Sequence, residues 1–306
     1  MKLDVPVTIS SRGKRLAAIA VLVVPVLLLF LFHPDLNRAR QVGGVDEGRL
    51  FLAGATAILQ GSDFPLTQRT PLYSLLLAAV GRAAGVQPDV LTHGAREYGS
   101  IEDTDVAEGF VKPRFQKMML WVQAGLWLLS VLVLYRTAES LGLPFGWTFA
   151  ILAVYVALTW LLATYIYDPV LTQFLLALGF FALVRWYRKP ESTGWILLSA
   201  FSFSLSALSR PTFQLLVPCL VIVVWIVFRM TTGAMLPAKV VVVMMSVWLL
   251  IVGGYSLRNY VRNGFFGVSC AYGLSLTGRA APFLEKAQDK FPEEVTQFLK
   301  IRDVDG

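Results

Sequence analysis

The amino-acid sequence reads as an all-α membrane protein, a bundle of about seven transmembrane helices with external juxtamembrane helices. Composition, run length and charge placement each point there. Hydrophobic residues make up 56% of the 306 residues and charged residues 15%, against about 45–50% and about 25% in soluble domains. The apolar residues gather in runs of bilayer-crossing length, since a span needs about 17–25 residues. The loops between runs divide by sign of charge, as the positive-inside rule describes. Such a composition excludes a disordered chain, a nucleic-acid module and an ordinary cytosolic enzyme. The net charge of +7, from 27 basic and 20 acidic residues, reflects cytoplasmic loop bias and predicts no nucleic-acid partner.

The first run, Leu16–Phe32, follows Lys2, Arg12, Lys14 and Arg15. It is longer than a signal-peptide core and lacks a small-residue cleavage pattern, so it reads as a retained signal anchor. Residues 1–15 are then a cytoplasmic N-terminus. Further runs are Gln116–Arg136, Phe145–Thr164, Asp168–Arg185, Gly194–Ser209, Thr212–Phe228 and Ala238–Ser256. Gly194–Ser209 is marginal and Ser-rich, which predicts a place inside the bundle.

Leu72–Val86 is short and includes Arg82. If it crossed, Arg185-Trp186-Tyr187-Arg188-Lys189 would lie outside. The acidic stretch with Glu97, Glu102, Asp103, Asp105 and Glu108 would lie inside. That inverts the usual bias, so Leu72–Val86 reads as an interfacial or re-entrant helix on the outer face. Residues 16–256 then form a seven-span module with an external loop, 33–115, and 257–306 form an external C-terminal segment. The chain stops at Gly306 without a further span, as a piece of a longer protein would. No inverted repeat of the transporter kind is visible.

Cys219 and Cys270 form no CxxC pair, and His33 and His93 have no zinc-ligand spacing. No cofactor is called for, although a carboxylate-held divalent metal ion at Asp46 and Glu47 stays open. These two acids open a helical pattern in which Leu50, Ala53, Gly54, Ala57 and Ile58 share a side and Gly61 is the stop. They read either as helix-start charges or as a carboxylate base at a cavity mouth. Arg69, before Thr70-Pro71-Leu72-Tyr73, could meet a phosphate or snorkel to headgroups. Asp168-Pro169 could be an N-cap followed by N1 proline. Arg210-Pro211 occupies a tight outer turn, where a charge favours protein or water over lipid. Arg258, next to Asn259, breaks the positive-inside trend at the end of the last span. Asp46, Glu47, Asp168, Arg210 and Arg258 thus share one side. An anionic lipid-borne substrate fits them better than a midplane transport path.

The ordered set of motifs resembles the GT-C superfamily of membrane glycosyltransferases, nearest the protein O-mannosyltransferase and lipid A aminoarabinose transferase branch. The motifs are Asp46-Glu47 with its Ala-rich helix, Thr70-Pro71-Leu72-Tyr73, Tyr165-Ile166-Tyr167-Asp168-Pro169, Ser209-Arg210-Pro211 and Leu257-Arg258-Asn259-Tyr260. They cover roughly residues 16–280. The resemblance implies a polyprenyl-phosphate-linked sugar donor, an inverting transfer in the first external loop, and a glycan, lipid or protein acceptor. It implies Asp46 as catalytic base and Glu47 as its assistant. Asp168 would line the cavity, and Arg210 and Arg258, helped by Arg69, would hold the donor phosphate. Tyr73 and Asn259 fall on the same motifs as substrate-binding candidates. Location in the cell (inner) membrane, with the active site external, goes with it. Departures are Thr70-Pro71 where family members often have Pro-Pro, and the acidic insertion between Val86 and Lys112. A non-catalytic membrane subunit or polysaccharide polymerase, and a lipid or solute transporter, are the competing readings.

Overall fold

The computed structural model describes residues 13, 20–21, 24–25, 45–61, 70–86, 113–160, 162 and 168–269. Among these the elements are all helical, with no strand. In chain order they are α1 (Val45–Gln60), α2 (Pro71–Ala84), α3 (Pro113–Leu141), α4 (Phe145–Thr159), α5 (Pro169–Arg188) and α6 (Thr193–Ser209). A 3₁₀ turn, Pro211–Phe213, leads into α7 (Leu216–Thr232). Then α8 (Ala238–Trp248) continues through a π-helical turn, Leu249–Gly253, into α9 (Gly254–Asn263).

Among the described residues, four helices are long and apolar enough to cross a membrane: Arg114–Leu141, Pro169–Arg188, Pro211–Thr232 and Ala238–Arg262. They fall on four of the seven runs read from the sequence. On two other runs, α4 and α6 are apolar but only 15 and 17 residues long, a rise of about 22–26 Å against a hydrocarbon core of about 30 Å. The first run lies almost wholly outside the described residues, as does the acidic insertion. α2 has 14 residues and rises about 21 Å, too little to cross upright.

Proline and glycine punctuate the bundle. Proline opens α2, α5 and the 3₁₀ turn at N1, where its missing N–H is no loss. Gly85 (φ 76°) and Gly233 (φ 70°) close α2 and α7 in the left-handed region, which a side chain would strain.

The Ser-rich α6 is the interior helix. Ser199, Ala200, Ser202, Phe203, Ser204, Ser206, Ala207 and Ser209 are all buried. Small residues let α5 approach closely: a Cβ on Gly179 would lie 2.7 Å from the Phe203 ring, and the Ser199 hydroxyl donates to the Gly179 carbonyl at 3.0 Å. By contrast, only 6% of the most apolar window of Pro211–Thr232 is buried in the fold. Ile222, Val223 and Trp225 there are exposed. In water such a stripe is an aggregation hazard, whereas on a spanning helix it is the lipid face.

α1 and α2 form a hairpin against α3. Phe51, Leu52, Ala55, Tyr73, Leu77, Ala78, Phe115 and Met119 make one buried cluster. Phe51 meets Tyr73 edge-on at 5.1 Å, and the Ser74 hydroxyl donates to the Phe51 carbonyl at 2.9 Å. The face expected for α1 is found in part: Gly54 and Ala57 are buried and Ala53 and Ile58 partly covered, while Phe51, Leu52 and Ala55, which were not on it, are buried because α2 packs at Phe51. The last span is also more structured than its sequence indicates. Its ladder widens into the π turn over Leu249–Gly253, a departure often found beside functional residues.

Candidate functional site

Three junctions of a polar residue with proline meet at one end of the bundle: Thr70-Pro71, Asp168-Pro169 and Arg210-Pro211. A proline pushes the residue before it out of the helical region. Thr70 (φ −80°, ψ 149°) and Arg210 (φ −138°, ψ 124°) obey this and are extended. Asp168 does not; it keeps helical angles (φ −64°, ψ −23°). All three stand at N-cap positions, yet none makes a side-chain cap. Their side chains bridge to one another's segments instead.

The principal bridge is an ion pair. Arg210 Nε lies 2.6 Å from Asp168 Oδ2, and Arg210 Nη2 lies 3.2 Å from Oδ1. This two-pronged geometry suits guanidinium and carboxylate. The carboxylate side chain is 3% exposed and the arginine side chain 36%. The pair is therefore anchored inside and open on the arginine side. The N-cap reading of Asp168 is thereby corrected: a buried charge needs a cation more than a helix end needs a cap.

Hydroxyls brace the pair. The Thr70 hydroxyl donates to the Ser209 carbonyl, in the peptide that leads into Arg210. Thr172 Oγ1 lies 2.7 Å from Ser209 Oγ and 3.2 Å from the Asp168 carbonyl. Each hydroxyl has one proton to give. Donation therefore runs from Ser209 to Thr172 and from Thr172 to Asp168. Tyr73, one turn beyond Thr70 and fully buried, accepts from Gln123 Nε2 at 3.2 Å. Burial pushes its phenol well up, and the Asp168 carboxylate adds to the rise.

Comparison with protein-family models, curated proteins and solved structures finds no match. The site's meaning therefore rests on its chemistry.

Arg258 belongs to the same end. Its guanidinium stands 5.6 Å from the Tyr255 ring centre. Tyr255 packs against the cluster of Ala207, Val252 and Val268, beside Leu208 and Phe213. No acidic side chain among the described residues pairs with Arg258. Asn259 is buried, and its amide donates to the Gly267 carbonyl at 2.7 Å. That bond fastens the turn after α9, so Asn259 supports the backbone next to Arg258.

The opposite end is basic and aromatic. Trp186 stacks on Phe228 and the Tyr187 hydroxyl bonds Thr231 at 2.9 Å, which joins the ends of α5 and α7. Arg188, Lys189 and Arg229 are exposed there, and Arg185 lies over Trp195.

Asp46 and Glu47 fall in the first turn of α1, one turn before the Phe51–Tyr73 contact. Their side chains lie outside the described residues, as do Arg69 and Tyr165-Ile166-Tyr167. Among the described residues no three His, Cys, Asp or Glu side chains are grouped to hold a metal ion. The side chains of the metal candidates, Asp46 and Glu47, lie outside that set. Sequence reasoning named Asp168 and Arg210 but not their contact. It missed Thr172 and Gln123, and it quoted Thr70 and Ser209 only as motif letters. A polar residue precedes proline at seven positions of the sequence, so that pattern did not single out these three junctions.

Proposed function

We propose that the chain is a seven-span GT-C-type glycosyltransferase of the cell membrane. It moves a sugar from a polyprenyl-phosphate donor to an acceptor on the external face, with inversion. The observation that supports this most is the division of the two bundle ends. One end holds Asp168, Arg210 and Arg258; the other is basic and aromatic. The positive-inside rule then makes the basic end cytoplasmic, which leaves the paired site external.

The leaving group is a lipid phosphate, whose developing charge needs cations at headgroup depth. Arg258, which no described acid neutralises, is the principal phosphate ligand. Arg210, whose side chain is 36% exposed, adds its charge while Asp168 sets its plane. Arg69 reinforces both. Asp46 takes the acceptor proton, and Glu47 holds the acceptor or, where one is bound, a divalent cation. The lipid-facing surfaces of the short α4 and of α7 give the isoprenoid tail apolar ground.

Mass spectrometry of lipid-linked sugars and glycans in cells with and without the intact gene tests this. We expect one sugar modification to vanish and its polyprenyl-phosphate donor to accumulate. Identical profiles would remove the proposal. In purified protein, Arg258→Ala should weaken undecaprenyl phosphate binding about tenfold, which is about 1.4 kcal/mol. Unchanged affinity would take the phosphate role from Arg258.

A further inference from the structure

We propose that Thr70, Ser209 and Thr172 are positioning residues, a hydroxyl tether that fixes Arg210 relative to the α1–α2 hairpin. For its effect on donor binding, this rests on Arg210 being a phosphate ligand as read above.

The Ser209–Arg210 segment is held at three points by two separate parts of the chain, the start of α2 and the 168–172 turn. Thr70, at the start of α2, bonds the Ser209 carbonyl. Thr172, in the first turn of α5, shares a 2.7 Å bond with the Ser209 hydroxyl. Asp168, just before α5, takes the guanidinium. Thr70, Thr172 and Ser209 are each at most 3% exposed, so water does not substitute easily for a lost partner. The two side chains that flank the peptide, Ser209 and Arg210, both reach the 168–172 turn. Thr70 then ties that unit to the hairpin whose first turn contains Asp46 and Glu47.

The geometry has a consequence. A hairpin displaced by an arriving acceptor must either drag the Arg210 turn or break the Thr70 bond. The Thr70 hydroxyl is therefore a direct buried link between the hairpin and the Arg210 turn, beside the apolar packing of Leu171 on the hairpin cluster.

Hydrogen exchange on the full chain in nanodiscs tests the tether. Thr70→Val keeps the shape and removes the donor, and Thr70→Ser restores it. Loss of one such bond should speed exchange about fivefold. The acceleration should appear both in the first turns of α2 and in residues 209–214, whose amides bond Ser206, Arg210 and Pro211 carbonyls. Exchange at the Trp186–Phe228 end should not change. Thr70→Ser should return both segments to wild-type rates. Acceleration confined to α2, or failure of Thr70→Ser to rescue, would overturn the tether. A second arm measures undecaprenyl phosphate affinity, where Thr70→Val should lose about fivefold and Thr70→Ser should recover it. Equal affinity in all three would show that the tether does not position Arg210. No binding by the wild type would instead sink the glycosyltransferase reading, and the exchange arm would still decide the tether.

Discussion

Arg210→Ala is expected to cost about 3 kcal/mol of stability, and Asp168→Asn about 1–2 kcal/mol. The asymmetry follows from where each group sits. Removing the arginine strips the facing cation from a carboxylate whose side chain is 3% exposed. Truncating one side of a buried pair typically costs about 3–5 kcal/mol. The arginine side chain is 36% exposed, so water reaches the pair and the low end of that range applies. Removing the carboxylate charge leaves a guanidinium that water can solvate and an amide that still accepts one bond. The double variant should be less damaged than the sum, because the neutral Asn no longer needs a cation. Denaturation in mixed micelles would measure the three variants. Strict additivity, or an Asp168→Asn cost above that of Arg210→Ala, would contradict the pairing account.

Asp46→Asn is expected to lower sugar transfer by about 10²–10⁴, the usual contribution of a general base. Its isosteric amide cannot accept the acceptor proton. Undecaprenyl phosphate affinity should be unchanged, because the proposed phosphate ligands lie on other segments. Reconstituted vesicles with a synthetic polyprenyl-phosphate sugar and a radiolabel readout would separate the two effects. Undiminished transfer would remove Asp46 from the chemistry. A parallel loss of phosphate binding would mean that it acts on the donor and not on the acceptor.

The helices were legible because their causes are local. Proline at N1 opens α2 and α5, and glycine in a left-handed conformation closes α2 and α7. The Ser-rich composition of α6 foretold its burial, since serine hydroxyls and small volumes suit helix–helix contact and not lipid. What stayed hidden depends on pairing across the chain. Asp168 and Arg210 are 42 positions apart, and Thr70 and Ser209 are 139 apart. Each has an acceptable local reading as a cap or turn residue. Nothing short of the packing tells an N-cap aspartate from one that turns inward. The π turn is invisible for a similar reason. Leu249–Gly253 is as apolar as the rest of its span, and one extra residue per turn leaves the hydropathy unchanged. For α1 periodicity found Gly54 and Ala57 but not Phe51, which is buried against Tyr73, because periodicity does not see the partner helix.

The account stands on one surface of the bilayer holding both the Asp168–Arg210 pair and Arg258, facing outward. Single cysteines in a Cys219→Ser, Cys270→Ser background, reacted with an impermeant maleimide on sealed cells, test this directly. The exposed positions Thr212 and Phe266 flank Arg210 and Arg258; Leu143 and Met235 stand in turns at the far end. Cysteines at 212 and 266 should both label on intact cells, and those at 143 and 235 only after permeabilisation. Labelling of 143 or 235 from outside, or a split between 212 and 266, would contradict the account.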